Sequence, residues 1–363
     1  MEYVKAIYTV APGGGVKIGK LPIERLPDQN VKLRVLYNGL CGTDRGIVSG
    51  SLSFAYNPSG SDKLVIGHES LCMIEEIYAE SSEFKKGDLV VPVVRRPGDC
   101  VNCKIGRQDN CSDGKKHEAG ITGMDGFMRE YFYDSLDYLV KVPDASLKEV
   151  AVLTEPLKNV VKGFEVFDIV SRRSVFANEF STLEGKRCMI IGTGAEAFLY
   201  AMVAVEYGFK VTLINRHPLE PKKLEIVRGF GMEFVDYSAD PALVTKYENN
   251  LIIDTSGDPG TIFRFVKSLA YNGIILLFGT NGKAPPATLD GNDIDFFIER
   301  NITLAGTVDA AKIHYIKALE YLRKWKYVYG DSLSDLITGI FPPENLDLFS
   351  RKPSGEIKSV LRW

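Results

Sequence analysis

The sequence predicts an α/β protein whose β-rich first part precedes a doubly wound parallel sheet. Three observations carry this. Short β-branched runs separated by Gly/Pro turns fill the first third. Strand and helix patterns alternate after about residue 184. A G-x-G-x-x-A fingerprint sits at the first of those strand-to-helix junctions.

In the first third, Met1–Ala11, Val31–Asn38, Leu64–Ile66, Cys72–Tyr78 and Asp88–Val94 read as strands. Pro12–Gly15, Gly39–Gly42 and Lys85–Gly87 punctuate them, and no helical period lies between, so a small irregular β-barrel is expected. Beyond the connection at 170–186, Arg187–Ile191 is a short apolar strand and Phe198–Tyr207 has helical spacing. Phe209–Asn215, Leu251–Asp254, Gly273–Phe278 and Ile302–Ala305 read as further strands, with Lys222–Phe230 a helix. Such alternation implies a parallel sheet covered on both faces. Ala311–Trp325 reads as a helix, and the chain ends in a strand-like piece, Ile357–Trp363.

The 363 residues suggest two domains or slightly more. A formal net charge of −3 argues against nucleic acid as the main partner. No apolar run approaches the roughly 18 residues of a membrane span, and Glu2 and Lys5 interrupt any leader-like start. A soluble cytoplasmic protein with no membrane partner is the expectation. Three of the six cysteines, Cys100, Cys103 and Cys111, fall in a C-x2-C-x7-C cluster, which in a reducing compartment favours metal over disulfide.

Chemistry concentrates at three places. In Gly192-Thr193-Gly194-Ala195-Glu196-Ala197, the first Gly makes the turn, the second admits a pyrophosphate, and Ala197 permits close helix packing. The second strand of this unit ends Asn215-Arg216-His217, without the acid that receives a ribose 2′-hydroxyl. Arg216 suits a 2′-phosphate, so NADP is preferred over NAD. The second place is Cys41-Gly-Thr43-Asp44 followed by Gly67-His68-Glu69: thiolate, imidazole and carboxylate are zinc donors. The third is the cysteine cluster, whose spacing suits a structural zinc. Asp99, Asp109, Asp113 and His117 compete for its fourth position. Asp113 is favoured because it follows Cys111 closely in a Gly-containing turn. Nearby Arg95, Arg96, Lys104, Arg107, Lys115 and Lys116 form a basic cluster. With little aromatic interleaving, it makes a poor nucleic-acid surface.

Taken in order, Cys41, Gly67-His68-Glu69, Lys86-Gly-Asp88-x-Val-x-Pro92, the cysteine lobe, Gly126-Phe127, Glu155-Pro156 and the glycine fingerprint resemble the zinc-dependent medium-chain alcohol dehydrogenases. Cys41–Arg45, Arg95-Arg96, His117–Gly120, Asp125–Arg129, Glu155–Leu157, Asn215-Arg216 and Gly355–Lys358 are similar to the archaeal glucose dehydrogenases within them. The resemblance implies a GroES-like catalytic domain at 1–183 with a zinc lobe at about 95–117. It implies a Rossmann domain at 184–310 and a return to the catalytic domain at 311–363. Zinc, sugar and nicotinamide are expected in the cleft between the domains.

The same resemblance matches Cys41, His68 and Glu69 to catalytic zinc ligands, and Glu155 to a position that touches metal or substrate. Thr43 matches the hydroxyl that bonds the reacting alcohol, and Glu118 and Asn159 match sugar contacts. Gly192–Glu196, Asn215–His217, Phe278-Gly279-Thr280, Thr307-Val308-Asp309 and Lys352 match cofactor contacts. The activity implied is oxidation of glucose, and of related aldoses such as galactose, at C1 to the lactone with NADP. The assembly implied is a homo-oligomer, a tetramer in preference to a dimer. A polyol or secondary-alcohol dehydrogenase using the same zinc chemistry is the alternative; a non-catalytic NADPH-binding redox sensor is a distant one. The small Gly usual after Gly-His-Glu is replaced near Cys72, and the zinc lobe lacks its fourth cysteine.

Overall fold

A computed structural model describes residues 2–115, 117–173, 185–239, 242, 244 and 246–363. Lys116 and most of the 170–186 connection lie outside the described residues. The chain divides into two units, one of residues 1–158 and 309–363, the other of 159–308. The sequence reading put the first boundary at 183/184. The division between the two units falls at 158/159, inside the helix Thr154–Ser171, whose continuous apolar spacing gives no sign of it.

The first unit is built on antiparallel strands. Val31–Leu40 is central, pairing with Glu69–Ile77, with Tyr131–Asp134 and with the C-terminal strand Lys358–Arg362. That last pairing brings the end of the chain beside Gly39 and Leu40. Glu2–Thr9 forms a second sheet with Lys17–Ile23 and Leu64–Val65. Val31, Leu33, Val35, Ile74 and Phe132 fill one core, and Ile7, Leu40, Ile66 and Met128 another. Within this unit Gly42–Ser49 is a helix, where the sequence predicted none. Eight residues containing two glycines are too few to show a period. Lys17–Ile23, also unforeseen, carries little buried apolar surface.

The second unit is a six-stranded sheet in the order Glu233–Asp236, Lys210–Asn215, Arg187–Ile191, Asn249–Asp254, Leu269–Leu277, Thr303–Gly306, every neighbouring pair parallel. This is the doubly wound order, in which ligands bind beyond the carboxyl ends of the strands. Met189, Ile191, Ile214, Ile252 and Ile275 pack in its core. Glu233–Asp236 escaped the sequence reading because it is an edge strand without an apolar run. The helices Pro259–Phe265 and Gly291–Glu299 were likewise not predicted.

Candidate active site

Cys41 ends its strand and caps the helix Gly42–Ser49. Three residues on, Asp44 turns back so that its Oδ2 accepts from the Cys41 amide at 2.9 Å. The other oxygen, Oδ1, faces His68 Nδ1 at 3.4 Å, with both side chains buried. The carboxylate therefore holds the backbone of one candidate ligand by a hydrogen bond and stands as a charge beside the ring of the next, where carboxylates stand behind metal-bound histidines. Burial opposes charge on His68, but Asp44 and Cys41 outweigh it and raise the imidazole well above its ordinary value.

Cys41 Sγ, a His68 ring nitrogen and a Glu69 carboxylate oxygen lie within 4.8 Å of one another. With Nδ1 turned to Asp44, Nε2 is the nitrogen left for a metal. This donor set fits zinc and leaves a coordination position for substrate. Thr43 Oγ1 lies 3.7 Å from Cys41 Sγ.

Glu69 has a partner that the sequence reading missed. Lys358 Nζ sits 2.7 Å from both of its carboxylate oxygens, and the pair is wholly buried. Space for this carboxylate comes from Gly39, where a Cβ would stand 1.9 Å from Glu69 Oε2. Cys72, at the departure from the usual Gly, packs in the core beside Ser70. Burial pushes its thiol up to about 12, so the change concerns packing.

Glu155 begins the helix Thr154–Ser171, buried, with Lys158 Nζ 3.1 Å from its Oε1. Glu118 receives Arg95 Nε and Nη2 on Oε1, at 3.1 and 2.5 Å, and the Thr122 hydroxyl on Oε2. Asp309, expected among the cofactor contacts, accepts from Lys158 on Oδ1 and is ion-paired to Arg95 through Oδ2, all in the first unit. Lys352, also expected there, is exposed near Glu356.

The remaining expected cofactor residues of the second unit gather at the carboxyl ends of four of its parallel strands. Gly192 follows Arg187–Ile191 with φ 119°, and a Cβ there would meet the Thr255 hydroxyl at 2.3 Å. Gly194 caps the helix Ala195–Glu206, and the space where its Cβ would stand is nearly empty. That is room for a pyrophosphate against free helix N–H groups. Asn215 closes its strand by donating to the His217 carbonyl, and Arg216 and His217 are exposed. Phe278 and Gly279 both donate amides to the Asp254 carbonyl, placing this turn and Thr280 after Leu269–Leu277. After Thr303–Gly306 come Thr307, whose buried Oγ1 has no hydrogen-bond partner among the described residues, and exposed Val308. Asn159 Oδ1 is also buried without a partner among the described residues.

In the cysteine lobe, the Cys100, Cys103 and Cys111 thiols lie within 4.8 Å of one another. Asp113 Oδ1 is 3.0 Å from Cys111 Sγ. That contact and the Lys115 amide hold its carboxyl down to about 2. The Ser112 and Cys103 amides hold Cys100 down to about 6, whereas burial pushes Cys103 up to about 11. The other three candidates are placed differently. Asp109 pairs with Arg107, exposed Asp99 pairs with Lys115, and His117 is exposed in a short strand. Of the local basic run, Arg95 and Arg96 are buried in ion pairs, whereas Lys104 and Lys115 are exposed.

The alcohol dehydrogenase GroES-like domain family matches residues 27–144, and the glucose dehydrogenase C-terminus family matches residues 148–363. The chain belongs to the zinc-dependent glucose dehydrogenase family. Within this family it is 53% identical to a glucose 1-dehydrogenase of Thermoplasma acidophilum over the whole of both chains. It is 38% identical to one of Metallosphaera sedula over 99% of each. The fold matches the glucose dehydrogenase of Haloferax mediterranei with a TM-score of 0.84 and 25% identity over 99% of each chain. The same Haloferax enzyme is also known in complex with NADP, zinc and gluconolactone. Asp44, Lys358, Arg95 and Lys158 stand behind the expected site residues. Asp44 and Lys358 lie inside the family segments quoted above, and Lys158 follows Glu155 by one helical turn.

Proposed function

We propose that this protein oxidises D-glucose, and related aldoses such as galactose, at C1 to the lactone, passing the hydride to NADP. The observation that carries the reading is the cluster of Cys41, His68 and Glu69 backed by Asp44. It stands in a chain 53% identical throughout to a glucose 1-dehydrogenase. Zinc held by Cys41 and His68 with a carboxylate, from Glu69 or Glu155, supplies Lewis acidity toward the anomeric hydroxyl.

The chain's own residues do the rest. Asp44 keeps His68 in the tautomer whose Nε2 is bare. Thr43 Oγ1 accepts a hydrogen bond from the reacting hydroxyl and relays its proton, its own hydroxyl proton passing on to water. Glu118, Glu155 and Asn159 bind other sugar hydroxyls, and a sugar lacking one leaves a buried group unpaired. Gly192 to Glu196 cradle the cofactor's pyrophosphate, and Arg216 pairs with the 2′-phosphate, with Asn215 and His217 beside it. Phe278 to Thr280, Thr307 and Val308 line the remainder of the cofactor. Asp113 completes a structural zinc with Cys100, Cys103 and Cys111.

A homo-oligomer, a tetramer before a dimer, is supported by Thr303–Gly306, an edge strand with Leu304 exposed and Ile294 and Ile298 exposed in the preceding helix. Sedimentation tests this. Among the described residues no helix is long and apolar enough to cross a membrane. The reducing chemistry that suits clustered thiols supports a cytoplasmic location.

NADPH formation with D-glucose, D-galactose, D-xylose and sorbitol, before and after chelation and zinc restoration, tests the function. Chelator-sensitive, zinc-restored activity on aldoses is expected. Turnover of sorbitol without glucose would replace the reading with a polyol dehydrogenase.

A further inference from the structure

Glu118 and Glu155 are joined by a buried row of charges. Lys158 Nζ lies 3.1 Å from Glu155 Oε1 and 2.8 Å from Asp309 Oδ1. The second Asp309 oxygen pairs with Arg95, and Arg95 in turn holds Glu118 Oε1 through two nitrogens. Acid, base, acid, base, acid follow one another without a gap, all within the first unit. The Arg95, Lys158 and Asp309 side chains are each at most 5% exposed. The Tyr315 ring lies 5.7 Å from Lys158 Nζ, and its hydroxyl accepts from the amide of Val94, the neighbour of Arg95.

A lysine this deeply buried stays charged only if its lost hydration is replaced by partners. Here the partners are two acids, one of them assigned to the sugar. Asp309 is the joint of the row, because it alone touches both cations. Its backbone is held in the left-handed region at φ 60°, a position a non-glycine residue keeps only when its surroundings fix it. The row ends in the Glu118 and Glu155 carboxylates, whose oxygens are acceptors for hydroxyl donors.

We propose that Lys158 and Asp309, with Arg95, are positioning residues that lock Glu118 and Glu155 at one spacing and so determine which sugar hydroxyls are read. This rests on the aldose-oxidising reading above. The row runs from Glu118 to Glu155, so a change at Asp309, in its middle, disturbs both ends.

The test compares Lys158→Met, Lys158→Arg and Asp309→Asn with the wild type, measuring kcat and KM for D-glucose, D-galactose and D-xylose, KM for NADP, zinc content and melting temperature. Losing a charged hydrogen bond at a polar readout site is expected to raise sugar KM about tenfold or more in Lys158→Met and Asp309→Asn. The glucose-to-galactose ratio of kcat/KM shifts with it. In Lys158→Met, KM for NADP stays at its wild-type value, and Lys158→Arg recovers most of the loss. Unchanged sugar KM and unchanged ratio overturn the proposal. So does a rise shared equally by sugar and NADP, or failure of both Lys158→Met and Asp309→Asn to fold, because the row then holds the fold alone. A wild type that oxidises none of the three sugars refutes the underlying reading and this proposal with it. An active wild type with indifferent variants refutes the positioning role alone.

Discussion

Replacing Lys358 with Met leaves Glu69 as a buried carboxylate without its cation. In the native protein Nζ stands 2.7 Å from both oxygens, with Lys358 2% exposed and Glu69 not at all. At an effective dielectric of about 20, unit charges roughly 3 Å apart attract by about 5 kcal/mol. Breaking a buried pair by removing one partner costs about 3–5 kcal/mol, because the remaining charge stays desolvated. For a unit of roughly 200 residues this lowers the thermal midpoint by about 10 °C. Calorimetry on chelated wild type and Lys358→Met measures it. Glu69→Gln added to Lys358→Met removes the stranded charge and is expected to restore more than half of the loss. The comparison is repeated with zinc, which reports whether Glu69 faces the metal: a nearby dication replaces the missing cation, so the loss shrinks on loading. Equal midpoints for wild type and Lys358→Met, with no gain from Glu69→Gln, would refute the reasoning.

Asp44→Asn is expected to weaken zinc binding about 10–100-fold, the usual cost of losing a carboxylate behind a ligating histidine, read by metal competition. Cys41→Ala should abolish turnover while NADPH still binds, checked by nucleotide fluorescence; full activity in that variant would remove zinc from the chemistry. Arg216→Asp should lower the NADP-to-NAD preference at least about tenfold, since a charge-assisted contact is worth about 1.5–3 kcal/mol. The carboxyl of Glu356 lies below its ordinary 4.5: burial raises it, but Arg45 and Ser359 outweigh that. A depressed carboxyl stabilises the fold above its ordinary value, and that contribution disappears as pH falls through the lowered one. Wild type should therefore exceed Glu356→Gln in urea midpoint near neutrality, with the gap closing in acid below about 4.5.

The second unit was the more legible half of the fold. Buried parallel strands such as Arg187–Ile191 and Leu251–Asp254 are continuous apolar runs, and Gly192 and Gly194 mark the first turn between them. The first unit showed its strands but not its bounds. Helix Gly42–Ser49 has too few residues to display a period, and Thr154–Ser171 carries its apolar spacing through the division at residue 158. Edge strands such as Glu233–Asp236 lack the apolar face that marks a central one.

At the site, what could be read was what is local. Cys41 with Asp44, His68 with Glu69, and the three clustered cysteines are motifs because their members lie within a few residues of one another. Their supporting charges are remote: Lys358 reaches Glu69 across 289 positions, and Asp309 meets Lys158 across 151. No spacing rule relates such pairs, because antiparallel pairing of the C-terminal strand with Val31–Leu40, and the chain's return at Asp309, bring them together. The donor atoms are therefore fixed by sequence motif, whereas their charge balance is fixed by topology. Lys358 can reach Glu69 only because Ser359 and Val360 lie opposite Leu40 and Gly39, and Gly39 itself lies opposite Glu69. A shift of one residue in that register would turn Lys358 to the other face of the sheet and strand Glu69 as surely as its replacement by Met.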